Sequence, residues 1–218
     1  MLESYSLPAV LCRILLAIAG WVTLILQFFL IRSAGEAMGQ TLGMTTGNFF
    51  SYFTILTNLL VAFSLSVALF YTRSGMGAFF SRASVQTAIA GCMLVVGGVY
   101  HLVLAKLWNP HGSQWAADVL LHTVLPLFYL VYWILFVPKG NLGLSAPLPW
   151  LLYPLVYLLY TLGRGALLGW YPYPFLNAGD LGYAMVLGNS AVLLGVFLVL
   201  FYVLTLADRA MGSKMHKP

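Results

Sequence analysis

Of 218 residues, 61% are hydrophobic, 7% are charged, and the formal net charge is +5. A soluble domain of this length carries about 25% charged residues, so the chain lacks the polar surface a water-facing protein needs. The basic residues stand singly, with no stripe interleaved with aromatics, which argues against a nucleic-acid-binding surface.

About 20 apolar residues in a helix cross a hydrocarbon core of roughly 30 Å. Six such runs are legible, at about 8–32, 49–71, 84–107, 117–137, 148–168 and 182–206. The expectation is an all-α, polytopic helix bundle: one six-helix transmembrane domain over residues 1–218. The first run, Pro8 to Ile31, is too long for the core of a signal peptide and contains Arg13, so it reads as a retained span. Turn-forming clusters punctuate the rest. They are Arg73-Ser74-Gly75 with Ser81-Arg82, then Asn109-Pro110-His111-Gly112, then Pro138-Lys139-Gly140-Asn141, then Tyr171-Pro172-Tyr173-Pro174 with Asn177 to Gly182. Cys12 and Cys92 fall inside spans and read as small buried hydrophobes. No internal repeat is visible, so nothing supports an inverted-repeat transporter.

Charge sets the orientation. Arg73, Arg82, Lys139, Arg209, Lys214 and Lys217 fall on the side of the termini, while Arg32 and Lys106 opposite are offset by Glu36 and Asp180. Basic residues favour the cytoplasmic side, so both termini are expected there, in a bacterial inner membrane. The fifth loop, Trp170-Tyr171-Pro172-Tyr173-Pro174-Phe175, then reads as an aromatic belt at the outer interface.

Projected onto this topology, the polar residues share one depth. Gln27, Thr54, Asn58, His101, Asp118, His122, Arg164 and Asn189 come from all six spans. They fall within roughly nine residues of the outer edge, or about 13 Å at 1.5 Å per residue. Tyr100 adjoins His101. Alternating helix direction means that sequence proximity did not force this. Ser51, Thr54 and Asn58 follow i, i+3, i+7 spacing; Asp118 and His122 are i, i+4; Tyr153, Tyr157, Tyr160 and Arg164 form a stripe. Ionisable groups in a bilayer are costly unless paired or facing a polar cavity, so the cluster points to a cavity open to the outer leaflet.

Each member also has a plain structural reading. A membrane Thr commonly bonds its own backbone carbonyl four residues back. His–Asp pairs bridge helices. Arg164 can snorkel to the headgroups. The Tyr stripe reads as packing, and Gly165 with Gly169 as a G-x-x-x-G close-packing motif.

Three segments carry a resemblance: Ser51-Tyr52-Phe53-Thr54-Ile55-Leu56, His122-Thr123-Val124-Leu125-Pro126 and Tyr173-Pro174-Phe175-Leu176. In that order they resemble the androgen-induced and androgen-dependent membrane hydrolases of animals. Those are six-pass proteins that cleave fatty acid esters of hydroxy fatty acids with a membrane Thr and a His. The resemblance implies Thr54 as nucleophile and His122 as base. From Phe50 to Asn58 and from Arg164 to Phe175 the chain also resembles a bacterial family of small six-pass proteins, the Pr-six-Pr family. That likeness covers nearly the whole chain and implies a fold more than an activity. Four residues separate His122 from Pro126, against five in the animal proteins, which carry Asn at the place of Asp118.

On this reading Thr54 attacks an ester carbonyl, His122 takes its proton and Asp118 fixes the imidazole tautomer. Asn58, Arg164, Tyr100 and His101 share the depth needed to hold an oxyanion or a substrate headgroup, and Gln27 and Asn189 complete the polar wall. The expected partner is a membrane lipid or fatty acyl ester, with no cofactor or metal required. Two alternatives stay open: a non-catalytic lipid-binding or transport protein, and a haem protein ligated by His101 and His122.

Overall fold

The structure is a computed structural model that describes residues 6–71 and 73–215, apart from the side chains of Lys214 and Met215. The Lys214 side chain and Lys217, counted among the basic residues of the tail, lie outside the described residues. Among the described residues six helices are long and apolar enough to cross a membrane: spans 1 to 6 are Leu7–Ala37, Phe53–Phe70, Ala83–Leu104, Gly112–Phe136, Pro147–Leu168 and Ala178–Ser213. No strand occurs among the described residues. The all-α polytopic bundle read from composition is the observed fold.

Local chemistry moves several boundaries. Residues 42–49 form a separate short helix, Leu42–Phe49, whose first turn is capped by the Thr41 hydroxyl accepting from the Met44 N–H. The chain then turns through an extended Tyr52 (φ −81°, ψ 127°), so span 2 begins at Phe53 rather than at 49. This puts Thr54 in the first turn of its helix. Span 4 starts at Gly112, which adopts φ 58°, five residues earlier than its apolar run suggests. Gly182, at φ 74°, breaks the last helix after a short first turn, and the continuous part of span 6 follows it.

The apolar interior divides in two. One cluster, including Leu16, Val61, Met93, Leu125 and Trp133, joins spans 1 to 4. The other, including Phe53, Val96, Tyr157, Val186 and Phe197, joins spans 2, 3, 5 and 6. Span 1 meets span 2 closely: a Cβ added at Gly20 would lie 3.1 Å from that of Ala62. Its opposite face exposes Leu11, Leu15, Ile18, Val22, Ile25 and Phe29, the apolar stripe that lipid tails would contact.

The half of the bundle nearer the chain termini is more polar than its hydropathy suggests. Arg13, 1% exposed, donates from Nε to the Tyr132 hydroxyl (2.7 Å), which donates to Gln86 Oε1 (3.0 Å). Trp133 Nε1 donates to the Thr87 hydroxyl at 2.8 Å. Asp208, fully buried, accepts from the Gly140 and Leu142 N–H groups and so fixes the loop between spans 4 and 5. Lys139 donates to the Trp133 and Val137 carbonyls at the end of span 4 and lies 4.2 Å from the Trp133 ring centroid. Burial draws the Lys139 amine down to about 8, against the opposing pull of Asp208. Gln86 and Asp208 sit so near the ends of their runs that they read as boundary residues.

Candidate active site

Thr54 is the second residue of span 2. The first N–H groups of a helix have no partner within it, and Tyr52, at the cap position, provides no side-chain bond. The partner comes from far away: the Tyr173 hydroxyl accepts the Thr54 N–H at 3.3 Å. The same hydroxyl is 3.5 Å from Thr54 Oγ1, and His122 Nε2 is 3.3 Å from that oxygen. The Thr54 side chain therefore faces a base and a phenol.

His122 lies in a π-helical turn, Leu120–Val124, and the reason is legible in its own motif. Pro126 has no N–H to give the His122 carbonyl four residues back, and its ring would clash there. The helix relaxes into the wider turn, closed by Leu125 N–H donating to the Leu120 carbonyl. Gly97 on span 3 makes room for the freed carbonyl: a Cβ there would lie 3.1 Å from His122 O. A second π-helical turn, Tyr100–Leu104, faces it, closed by Ala105 N–H on the Tyr100 carbonyl at 2.8 Å. Such turns concentrate at functional sites because they re-aim single side chains. Here they stack the Tyr100 ring on His122, with centroids 4.0 Å apart and planes 11° from parallel.

The tautomer follows from the partners. His122 Nδ1 is 3.0 Å from the backbone carbonyl of Asp118 and 3.3 Å from its carboxylate Oδ1. Both are acceptors, so Nδ1 carries the proton and, in the neutral ring, Nε2 presents its lone pair to Thr54. The carboxylate was expected to do this orienting alone. In the structure the backbone carbonyl makes the shorter contact, and Asp118 Oδ2 takes the Tyr100 hydroxyl. Asp118 thus ties together the two residues that sandwich the site.

A cavity of about 490 Å³ opens in front of these groups. Thr54, Tyr100, Asp118, His122 and Gln27 line it. Gln27 accepts from Gln114 Nε2 at 3.0 Å, joining spans 1 and 4. Asn58 lies deeper and fully buried, donating to the Thr54 carbonyl (2.9 Å) and the Leu121 carbonyl (3.4 Å). It braces span 2 against the π-helical turn and does not face the cavity. Arg164 also stands behind the wall: it donates to Asn48 Oδ1 at 2.8 Å and stacks on Trp170, and those two side chains line the cavity in its place. Asn189 donates to the Phe175 carbonyl at 3.0 Å and so anchors the fifth loop. His101 is exposed, pairs with the Thr123 hydroxyl at 3.0 Å and is not part of the cavity wall. Its ring and that of His122 have separate partners, so this arrangement does not offer two imidazole nitrogens to one iron. Among the described residues no three of His, Cys, Asp and Glu gather as a metal site.

The fifth loop departs most from expectation. Read as an interfacial belt, it instead folds into the bundle. Tyr173 is 9% exposed, and its ring contacts those of Tyr52 and Phe175. Burial pushes its hydroxyl up to about 12, so it keeps its proton at neutral pH. Gly165 allows this approach, since a Cβ there would collide with the Tyr171 ring, and Gly169 ends the helix at φ 65°. The G-x-x-x-G motif thus packs a loop rather than a helix. The Tyr stripe of span 5 does pack, as expected, with hydrogen bonds: Tyr153 to the Thr57 hydroxyl, Tyr157 to the Ser51 carbonyl and Tyr160 to the Ser51 hydroxyl.

Comparison with protein-family models, with curated proteins and with solved structures returned no match.

Proposed function

We propose that this chain is an intramembrane ester hydrolase that uses Thr54 as nucleophile and His122 as general base. The carrying observation is the directed chain from the Asp118 backbone carbonyl through His122 Nδ1–H and Nε2 to Thr54 Oγ1. A Thr hydroxyl needs a base of this kind to become reactive. The likeness to the androgen-induced and androgen-dependent hydrolases supports the same pair. So does the setting, a half-polar cavity among lipid-facing helices, which suits a fatty acyl ester such as that of a hydroxy fatty acid.

In the first step Oγ1 bonds to the ester carbonyl carbon while its proton passes to Nε2. The carbonyl oxygen becomes an oxyanion, for which the Thr54 N–H and the Tyr173 hydroxyl are the nearest donors. The C–O bond to the alcohol then breaks, and the alcohol leaves with the proton from Nε2. Water, deprotonated by the same nitrogen, attacks the acyl-Thr54 carbonyl; the bond from the acyl carbon to Oγ1 breaks, Nε2 returns its proton to Oγ1, and the acid is released. The apo distances of 3.3 and 3.5 Å are loose, as is usual before substrate closes such contacts.

The basic residues on the side of the termini orient the chain with both ends in the cytoplasm and the site towards the outer leaflet of a bacterial inner membrane. One experiment addresses both points. A lipid-like fluorophosphonate should label the wild type at Thr54, fluoride leaving phosphorus as Oγ1 bonds to it. Thr54→Ala should abolish labelling, and His122→Ala should slow it by about 10²–10⁴-fold. A charged, membrane-impermeant probe should label intact spheroplasts. Labelling of Thr54→Ala equal to that of wild type would leave a lipid-binding protein without turnover, and labelling of inverted vesicles alone would reverse the orientation.

A further inference from the structure

Thr54 is shared by two cavities. Besides the half-polar one it borders a second, smaller pocket of about 70 Å³ between spans 3, 5 and 6. That pocket is walled by Val96 and Val99 on span 3, Leu158 on span 5, and Leu193, Leu194 and Phe197 on span 6. Tyr173 and Leu104 touch both cavities and stand, with Thr54, at the junction. The two spaces differ in chemistry. The larger contains Gln27, Asn48, Gln114, Asp118 and His122, whereas beyond the junction the smaller has Ser190 and Tyr157, whose hydroxyls donate to the Val186 and Ser51 carbonyls.

Resting on the Thr54–His122 reading, we infer that the small pocket is the acyl-chain site and that the larger cavity receives the alcohol part of the ester and the hydrolytic water. An acyl group bonded to Thr54 Oγ1 must leave that oxygen through a space Thr54 borders, and both of these spaces border it. The leaving alcohol and the incoming water must both reach Nε2, and His122 lines the larger space only. The chain is therefore directed to the other, whose walls are mostly apolar. From Ser190 to Phe197 the pocket spans seven residues of helix, about 10 Å at 1.5 Å per residue. Phe197, 6% exposed, lies at its inner end. The acid half of the preferred ester is thus a saturated or flexible alkyl chain, selected for length by the Leu194–Phe197 floor, while the alcohol half can be larger and polar.

The test uses full-length protein in detergent and two alkyl fluorophosphonates, with ethyl and decyl chains. Wild type should react faster with the decyl probe. Leu194→Trp, which adds bulk to the pocket wall, should lower the decyl-to-ethyl rate ratio at least tenfold. Phe197→Leu, a smaller change in the opposite direction, should raise the decyl-to-ethyl ratio. An unchanged ratio in both variants would overturn the acyl assignment while the catalytic reading stands. No reaction of wild type with either probe would remove the catalytic reading and this inference with it.

Discussion

The bundle buries polar side chains at both ends, and the two ends use them differently. At the end nearer the chain termini, Arg13, Tyr132 and Gln86 form an inner relay, and Asp208 and Lys139 hold the loop between spans 4 and 5. None of these side chains lines either cavity beside Thr54. At the opposite end Thr54, His122, Asp118 and Tyr100 are also hydrogen-bonded to one another, yet all four face open space. Buried polarity thus has two forms here: one joins helices, and the other keeps reactive atoms beside a cavity. Burial alone does not separate them, since Arg13 is more deeply buried than Thr54.

The largest effect that would sharpen this contrast is expected from Tyr173→Phe. The substitution keeps the ring in its contacts with Tyr52 and Phe175 and removes only the hydroxyl. If that hydroxyl holds the oxyanion, ester turnover should fall by about 10²–10³-fold. The lost cap on the Thr54 N–H should cost only about 1 kcal/mol of stability. A variant with lowered melting temperature and wild-type turnover would make Tyr173 a helix cap and nothing more.

Asp118→Asn should do less. In a serine triad the carboxylate is the acceptor for the imidazole N–H, and the amide costs about 10⁴-fold because the tautomer is lost. Here the backbone carbonyl of residue 118 accepts from Nδ1, and Asn keeps it. Turnover should therefore fall by about tenfold or less, reflecting the lost charge 3.3 Å from the ring and the altered bond to Tyr100. A loss near that of His122→Ala would mean that the carboxylate, not the carbonyl, orients the ring.

What was legible in the sequence follows the same physical division. Hydropathy located all six spans because a bilayer imposes one length and one composition. The depth argument brought Thr54, His122 and Asp118 together because straight helices turn residue number into depth. It failed for His101, since depth does not say which way a side chain points, and the π-helical turn at Tyr100 directs Tyr100 and not His101 to the cavity. Asn58 and Arg164 share the depth too, but stand one layer behind the wall. Tyr173 was missed because a loop carries no depth coordinate. Its sequence signals are the Tyr173-Pro174-Phe175-Leu176 segment of the resemblance, which named it without a role, and the prolines around it with Gly165, which let an aromatic hairpin fold inward.

The smallest expected effect on chemistry is the one that tests the comparison itself. Tyr132→Phe removes the hydroxyl between Arg13 Nε and Gln86 Oε1 and leaves the ring in place against Tyr129 and Phe136. A hydrogen bond to a charged group contributes about 1.5–3 kcal/mol, and the guanidinium is held where water does not replace it. Thermal or denaturant unfolding should register that loss. The labelling rate of the folded fraction should not change, because the inner relay touches neither His122 nor the cavity walls. Both quantities can be read on one sample, by following unfolding and fluorophosphonate labelling across the same temperature series. If labelling at temperatures well below the transition falls along with stability, the two polar ends are coupled through span 4, which carries both Tyr132 and His122. The inner relay would then set the position of His122 as well as join the helices.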